Sequence, residues 1–312
     1  MEQNPLVSVI INCYNGEKYL REAIDSVINQ TYQNWEIIFW DNQSTDSTAE
    51  IVKSYNDERI HYFYASRHTT LGEARNLALD KITGVYVSFI DTDDIWDREF
   101  LNTAQKSLFT NTDCSGFYAN YYMFNSSERI ISHAKRNDGR SDFKYLMKHY
   151  DLGMSCSLVK TSVIKEHDIK FNLNYSLIED YDFYLKVTKI APLYYANKPL
   201  ASYRMHEGSL TFKQKSGWAM EFRALHDDLI NNILTSSEIS LYSKEINWLN
   251  IRAVFAEMTE AIYENKRKDV LSLIIRNFFK SPKILIGLIY VLGGRSFYKT
   301  MYALIRNSKY HL

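Results

Sequence analysis

The 312-residue chain is poor in cysteine and in the two residues that most often interrupt regular structure. It contains only 4 Pro and 11 Gly, while 46% of its residues are hydrophobic, which excludes a disordered or collagen-like chain. Its three cysteines, Cys13, Cys114 and Cys156, are far apart and form no CxxC pair. A disulfide framework or a cysteine metal site is therefore disfavoured, and a reducing compartment is favoured.

Long hydrophobic runs and glycine-rich phosphate loops are also missing. The longest apolar run in the C-terminal part, Ile284–Leu292, has nine residues, whereas a membrane-spanning helix needs about 20. The first apolar run stops at Asn12 and no basic region precedes it, so we expect no signal peptide. The patterns GxGxxG and GxxxxGK[ST] do not occur, which argues against a dinucleotide-dependent dehydrogenase and a P-loop enzyme.

The charges cancel over the whole chain but are unevenly distributed. The 37 basic and 37 acidic residues give a net charge of zero. Residues 1–120 contain twice as many acids as bases, whereas residues 266–312 contain ten Lys or Arg and a single acid, Asp269. A basic end behind an acidic front indicates an anionic partner for the C-terminal part, such as a membrane or nucleic acid.

The first hundred residues alternate between strand and helix patterns. Four largely apolar segments predict strands, and the first of them is a continuous run typical of a strand buried on both faces. They are Val7–Ile11, Trp35–Trp40, Ile60–Tyr64 and Val85–Ile90. Helical spacing follows each run, and residues 47–50 have the sequence of a capping box. The alternation predicts an α/β fold, with a mostly parallel sheet flanked by helices. Beyond Ser216 the pattern is wholly helical, which predicts a helical C-terminal extension.

Polar residues follow the end of each predicted strand, at residues 12–15, 41–46, 66–68 and 91–94. In parallel α/β sheets, ligands bind beyond these carboxyl ends. The last segment contains three carboxylates that repel one another unless a cation neutralises them. Such hard oxygens suit Mg²⁺ or Mn²⁺, which can then bind a diphosphate. An acidic helix N-terminus is the structural alternative, but the position at the ligand edge favours the metal.

Seven segments, taken in order over residues 5–211, resemble the motifs of family 2 glycosyltransferases of bacterial type. They are Pro5–Asn15 (PLVSVIINCYN), Ala23–Gln33 (AIDSVINQTYQ), Asp41–Ser47 (DNQSTDS), Gly72–Asn76 (GEARN), Phe89–Trp96 (FIDTDDIW), Glu179–Asp182 (EDYD) and Tyr203–His206 (YRMH). The resemblance implies a GT-A fold, which is a Rossmann-like nucleotide-sugar-binding domain, and a DxD-containing enzyme that inverts the anomeric carbon. We expect a catalytic domain over residues 1–215, with a nucleotide-binding half to about residue 115 and an acceptor half from about 116, followed by a helical region over 216–312.

The resemblance also implies the residues that bind the nucleotide. Asn12, Tyr14 and Glu17 match positions that line the nucleotide site, and the Tyr14 ring can stack on a base. Asp41 matches the acid that accepts the uracil N3–H, so we expect a UDP-sugar. The family often has two acids here and Trp40 replaces the first, which leaves the base open. Turn packing for Tyr14 and a helix cap for Asp41 are the structural alternatives.

Four further residues match the charged positions of the family. Arg75 matches the arginine of the family motif at Gly72–Asn76 (GEARN) and can meet the base or balance the acids; a surface arginine is the alternative. Asp93 is expected to bind Mn²⁺ or Mg²⁺ directly, with Asp91 as a ribose or metal contact. The neutral imidazole of His206 would add a metal ligand, whereas a plain loop histidine is the alternative. We expect the neighbouring Asp94 to cap the next helix.

Asp180 matches the catalytic base of the family. Inverting transfer needs one carboxylate that takes the proton of the acceptor hydroxyl as the hydroxyl attacks C1. The leaving diphosphate is neutralised by the metal, so no separate protein acid is needed. The structural alternative for Asp180 is a helix N-cap before a helix over Tyr181–Lys189, and both roles can coexist.

These residues predict a metal-dependent inverting glycosyltransferase that moves a sugar to a hydroxyl of a glycan or lipid-linked glycan, in polysaccharide or cell-envelope biosynthesis. A metal-dependent nucleotidyltransferase and a non-catalytic membrane-binding module remain as alternatives. The nucleotidyltransferase usually has a glycine-rich basic loop that this chain lacks, and release of UDP rather than pyrophosphate would separate the two enzymes.

The basic C-terminal part predicts a peripheral membrane contact. Phe278, Phe279 and Ile284–Leu292 are interleaved with basic residues, as in helices that lie in the surface of an anionic membrane. A helical subdomain that packs on the catalytic core or on a second subunit is the alternative. We expect a cytoplasmic protein on the inner face of the membrane. Nucleic acid is not expected, because the basic residues alternate with apolar stretches and the front of the chain is acidic.

Overall fold

The computed structural model describes residues 4–133, 136–209, 216–279 and 282–294. The chain divides into two compact units, Met1–His206 and Glu207–Leu312. The predicted boundary, between residues 215 and 216, adjoins residues 210–215, which lie outside the described residues. It therefore stays a prediction.

Within the described residues, the first unit contains one ten-stranded sheet. Its strands are β1 Val7–Cys13, β2 Trp35–Asp41, β3 Ile60–Tyr64, β4 Tyr86–Phe89, β5 Ile95–Trp96, β6 Gly116–Phe124, β7 Arg129–Ile131, β8 Gly139–Ser141, β9 Ser157–Lys160 and β10 Leu193–Arg204. They lie in the order β3-β2-β1-β4-β9-β6-β10-β5, with β7 beside β6 and β8 beside β10.

The four N-terminal strands are parallel and place their polar ends at one edge. Cys13 at the end of β1 lies opposite Asp41 at the end of β2, which lies opposite Tyr64 at the end of β3. Strand β9 runs antiparallel to both β4 and β6, so the sheet as a whole is mixed. The predicted α/β fold with flanking helices is confirmed.

Seven α-helices of the described chain flank this sheet. They are α1 Leu20–Ile28, α2 Thr48–Lys53, α3 Leu71–Leu79, α4 Phe100–Thr110, α5 Phe143–Lys148, α6 Thr161–Glu166 and α7 Glu179–Ile190, with a 3₁₀ turn at Met154–Cys156. The predicted capping box at the start of α2 is wrong, because the Ser47 side chain makes no capping hydrogen bond. Instead its backbone N–H donates to Glu17 Oε2 at 2.9 Å.

The apolar runs of the sequence form the core of the first unit. Every residue of β2 is buried, and only Asn12 of β1 is partly exposed. Helix α1 turns Leu20, Ala23, Ile24 and Val27 toward this core, which follows from their spacing along one helical face. Two covered faces of the sheet explain why these strands have continuous apolar runs rather than an alternating pattern.

The second unit is helical over its described residues, as the sequence predicts. Its α-helices are α8 Trp218–Asp228, α9 Ser236–Leu241, α10 Ser243–Tyr263 and α11 Arg267–Asn277, with a π-helical turn at Leu229–Ile233 and a 3₁₀ turn at Pro282–Ile286 that leads into helical residues 287–294. Val254, Met258, Val270 and Ile274 pack in a core together with residues of the last segment. None of the described helices combines the length and the apolar character that a membrane span requires.

Candidate active site

Two loops at the carboxyl edge of the sheet are tied together by polar side chains. Asn15, in a left-handed backbone conformation with φ of 55°, accepts the Thr45 N–H at 2.8 Å and donates its own N–H to Ser44 Oγ at 3.0 Å. Glu17 accepts the Ser47 N–H, while its own N–H donates to Asp46 Oδ2 at 3.0 Å. Glu17, predicted to line the nucleotide site, therefore joins the β1–α1 and β2–α2 loops.

Asn12 and Tyr14 lie at the edge where the sequence predicts the nucleotide. Among the described residues, Nδ2 of Asn12 is buried and has no hydrogen-bond partner. The Tyr14 ring is 55% exposed and meets His68 edge-on, with 4.4 Å between ring centroids. His68 Nδ1 lies 2.8 Å from the Asn42 carbonyl oxygen. His68 was not among the predicted site residues, although its segment follows the third strand.

Asp41 is fully buried and its carboxylate already accepts two hydrogen bonds. Oδ1 accepts the Ser44 N–H at 2.7 Å and Oδ2 accepts the Tyr62 hydroxyl at 2.6 Å. Burial, with the hydrogen bond to Asp41, raises the pKa of Tyr62, so Tyr62 stays the proton donor. In this structure the buried Asp41 carboxylate holds the β2–α2 loop through Ser44.

Arg75 is a buried connector rather than a surface arginine. Its side chain is 5% exposed, and its Nη1 donates to Glu179 Oε1 at 2.7 Å while Nη2 donates to Asp91 Oδ1 at 3.3 Å. One guanidinium thus joins α3, the acidic segment after β4 and the first turn of α7. Glu179 was not among the predicted site residues, although it stands in the EDYD motif.

This cluster has more acids than cations. Burial raises the pKa of Glu179 to about 7 even though Arg75 opposes the shift. Burial also raises the pKa of Asp91, with Arg75 opposing and the charges of Asp93 and Asp180 adding to it. A single guanidinium cannot balance several neighbouring carboxylates in a partly desolvated site. The arrangement therefore favours either a bound proton or a further cation.

Asp93 and His206 face each other although they are 113 residues apart in the sequence. His206 Nε2 lies 2.8 Å from Asp93 Oδ2, and each side chain is about one-quarter exposed. Ligands about 2.1 Å from an octahedral Mg²⁺ lie about 3 Å apart when they are adjacent, so this spacing fits two ligands of one ion. Within the described ranges, no group of three or more His, Cys, Asp or Glu side chains can hold a metal ion.

Asp94 does not cap the helix that follows it, so that prediction is wrong. Helix α4 begins only at Phe100, because the short strand β5 lies in between. The buried Asp94 carboxylate instead accepts the backbone N–H of Arg204 at 3.0 Å. Burial, together with the charges of Asp91 and Asp93, raises the pKa of Asp94 well above its usual value.

Asp180 lies in the first turn of α7, which begins at Glu179 after the N-cap residue Ile178. The N-cap alternative is therefore wrong. Asp180 Oδ1 accepts the Tyr181 N–H at 2.7 Å. Burial raises its pKa, while a hydrogen bond from Tyr150 opposes the rise. A carboxylate with a raised pKa is a better proton acceptor than a fully solvated one.

An α/β sheet with flanking helices and an acidic edge beyond its parallel strands defines a GT-A-type domain. The structure of S. aureus TarS 1-349 in complex with UDP-GlcNAc has the same fold. It superimposes with a TM-score of 0.69 at 18% sequence identity, and the match covers 98% of this chain and 93% of TarS 1-349.

Sequence comparison identifies the family. The model of glycosyl transferase family 2 matches residues 8–167. Glycosyltransferase GlyA of Streptococcus pneumoniae serotype 4 is 30% identical over 282 residues, which are 85% of this chain and 39% of GlyA. The Escherichia coli UDP-Glc:alpha-D-GlcNAc-diphosphoundecaprenol beta-1,3-glucosyltransferase WfgD is 28% identical over 180 residues, or 58% of this chain and 64% of WfgD. The chain belongs to glycosyl transferase family 2, as its motifs predict, and it spans less than two thirds of the length of these two relatives.

Proposed function

We propose that this chain is a metal-dependent inverting glycosyltransferase that transfers a sugar from a UDP-sugar to a hydroxyl of a glycan or lipid-linked glycan. The observation that carries the proposal is the connection at one sheet edge between Asp180 and the acidic segment Asp91–Asp93, through Glu179 and Arg75. The names of two similar proteins support the substrates: TarS was crystallised with UDP-GlcNAc, and WfgD acts from UDP-Glc on a lipid diphosphate.

The donor is assigned to the edge beyond β1, β2 and β3. The buried Asn12 Nδ2 offers a hydrogen-bond donor whose partner the nucleotide would supply. The exposed Tyr14 ring, held by His68, offers a face on which a base can stack. Ser44 and Tyr62 each use one lone pair of the Asp41 carboxylate. We include in the proposal that a remaining lone pair accepts the uracil N3–H.

Asp93 and His206 would hold a divalent ion, Mn²⁺ or Mg²⁺, and Asp91 would contact the ribose or lie outside the ligand set, since the described residues form no metal-binding group of three such side chains. The donor set of carboxylate oxygens with one imidazole suits either ion, and the spacing of Asp93 and His206 suits neighbouring ligands. When bound, such an ion would neutralise charge on the leaving diphosphate. It would also compensate the excess of acids around Arg75, which is why this cluster favours a further cation.

Asp180 is assigned as the base. It takes the proton of the acceptor hydroxyl while the hydroxyl oxygen forms a bond to C1 and the bond from C1 to the diphosphate oxygen breaks. Attack on the face opposite the diphosphate inverts the anomeric configuration. The bond between Glu179 and Arg75 fixes the helical turn that carries Asp180 relative to Asp91.

Two substitutions test this assignment. Asp180→Asn should keep Mn²⁺-dependent UDP binding but lose transfer by about 10²- to 10⁴-fold, the usual contribution of a general base. Asp93→Ala should lose metal-dependent UDP binding as well. Calorimetry measures the binding, and UDP release in the presence of acceptor measures the transfer. Near wild-type transfer by Asp180→Asn would disprove the base, and release of pyrophosphate instead of UDP would favour a nucleotidyltransferase.

We further propose that α11 contacts an anionic membrane, which would place the enzyme on the cytoplasmic face. Leu271, Ile275, Phe278 and Phe279 are exposed, the last to 96%. Leu271 and Ile275 lie on one side of α11, next to the buried Val270 and Ile274, and Phe278 and Phe279 follow directly after its last residue, Asn277. Three exposed basic residues of the same helix could meet lipid phosphates. They are Arg267, Lys268 and Arg276.

The predicted membrane segment Ile284–Leu292 offers less apolar surface for a membrane contact than its composition suggests. Ile284 and Tyr290 are fully buried against α10 and α11, while Leu292 is 82% exposed. These two side chains belong to the core of the second unit and not to a membrane-facing side. Lys280 and residues 295–312, with Arg295, Lys299, Arg306 and Lys309, lie outside the described residues.

A further inference from the structure

Arg204, the last residue of β10, makes hydrogen bonds to three places around the candidate metal site. Its backbone N–H donates to Asp94 Oδ1 at 3.0 Å and its Nε–H donates to the Asp93 carbonyl oxygen at 2.9 Å. Its Nη2 donates to Glu22 Oε2 on α1 at 2.8 Å. With a side chain that is only 14% exposed, Arg204 joins α1, the Asp93–Asp94 segment and the end of β10.

Two aromatic rings lie against the Arg204 guanidinium. Its central carbon lies 4.3 Å from the centre of the Tyr19 ring and 4.6 Å from that of Phe124. Tyr19 also contacts His206, with 5.1 Å between ring centroids. The same ring therefore restrains both Arg204 and the imidazole that faces Asp93. Cation–π contacts of a poorly exposed guanidinium are stronger than those at an open surface.

We propose that Arg204 is a positioning residue that keeps Asp93 and His206 at metal-binding distance. Asp93 sits on a loop after β4 and His206 follows β10, so their spacing depends on contacts between these two elements. Arg204 supplies such contacts from two residues away, and neither of its bonds to the loop uses the Asp93 carboxylate. The inference rests on the proposed metal-dependent function, and it assigns Arg204 no contact with substrate.

The test compares Mn²⁺ affinity in the presence of UDP, measured by calorimetry on the full chain. Arg204→Lys keeps the charge but loses the planar fork that reaches the carbonyl and Glu22 together. We expect an apparent Mn²⁺ affinity about 10- to 100-fold weaker, as for other residues that orient metal ligands. The binding of UDP without metal and the melting temperature should stay close to wild type. Glu22→Gln, a milder change at a half-exposed side chain, should shift the affinity in the same direction by less.

Arg129→Lys is the matched control, because Arg129 also covers a ring, Tyr122 at 4.0 Å, and also donates to β10, at Ser202 Oγ. It should bind Mn²⁺ as the wild type does. If Arg204→Lys and Glu22→Gln bind Mn²⁺ normally while Asp93→Ala does not, the inference is wrong and the proposed function stands. If Asp93→Ala also binds normally, the proposed metal site itself is wrong. If Arg204→Lys also binds UDP more weakly without metal and melts at a lower temperature, the substitution has disturbed the structure in general. That result also overturns the inference.

Discussion

Glu179 and Asp180 are neighbours on one helical turn but have different surroundings. Glu179 is buried and bonded to Arg75, whereas Asp180 accepts a hydrogen bond from Tyr150 and is partly exposed. Different surroundings give two adjacent acids different tasks. Glu179 balances a buried cation, while the exposed part of Asp180 would be open to the acceptor hydroxyl of the proposed reaction.

Tyr150 should control the pH dependence of transfer. Its hydroxyl stabilises the charged form of Asp180 and so lowers the pKa of this acid, against the raising effect of burial. Tyr150→Phe removes that hydrogen bond, so the pKa of Asp180 should rise. Because a general base must be deprotonated, the acidic limb of the pH profile of kcat/KM should then move to higher pH. The measurement is the rate of UDP release across this limb.

Tyr14→Phe is the control for that experiment, because it also removes one tyrosine hydroxyl at the sheet edge. Its acidic limb should stay where it is in the wild type, since Tyr14 lies beside His68 and not beside Asp180. An unchanged limb in Tyr150→Phe would show that Tyr150 does not tune the base.

At the scale of single elements, the space beside the backbone differs between two glycines, one in a strand and one in a helix. Gly116 begins β6 where the neighbouring backbone comes very near: a Cβ atom there would lie 2.4 Å from the Leu158 carbonyl oxygen and 2.8 Å from a methyl carbon of Leu193. Gly72 in α3 is different, because a Cβ atom there would lie 3.6 Å from its nearest neighbour, Phe171, which is ordinary van der Waals contact.

This contrast predicts opposite effects of the same substitution. Gly116→Ala should reduce the free energy of unfolding by about 1–3 kcal/mol, the cost of overpacking a core, because a carbonyl oxygen of a paired strand cannot move aside cheaply. Gly72→Ala should be neutral or stabilising by at most about 1 kcal/mol, since alanine favours a helix over glycine. Urea unfolding measures both, and equal stabilities of the two variants would contradict the packing at β6.

At the scale of the whole molecule, the two units have different surfaces. The first presents a polar, acidic edge beyond its parallel strands. The second presents an apolar side of α11 among basic residues. The proposed membrane contact therefore belongs to the second unit, and the proposed catalysis to the first.

A substitution of Ile275 tests the proposed membrane contact, and the same substitution of Leu241 is its control. Both side chains are 67% exposed, but they lie on different helices. Ile275→Glu should weaken binding to phosphatidylcholine vesicles that contain phosphatidylglycerol by about 10- to 100-fold, since a buried Ile contributes about 1.5–3 kcal/mol. Leu241→Glu should bind as the wild type does. Cosedimentation with and without phosphatidylglycerol measures both. Equal loss in the two variants would mean that the added charge, and not the α11 side, is responsible.

The sequence alone determined the alternation of strands and helices, the position of the polar strand ends and the family. These features are local: apolar runs, helical spacing and short motifs are written in neighbouring residues. In the same way the motifs indicated Asp91, Asp93, Asp180 and His206 as candidates before any contact between them was known.

Only the tertiary structure decided which of these candidates meet. Two sets of hydrogen bonds connect residues that are far apart in the chain: Arg75 bonds to Glu179, and Arg204 bonds to Asp93 and Glu22. The burial of Asp41 likewise depends on how the sheet and its helices pack. The order of the sheet and the packing of helices on it create these contacts, and no periodicity within a short segment records them. For the same reason the burial of Ile284 and Tyr290 became visible only once the helices of the second unit were packed.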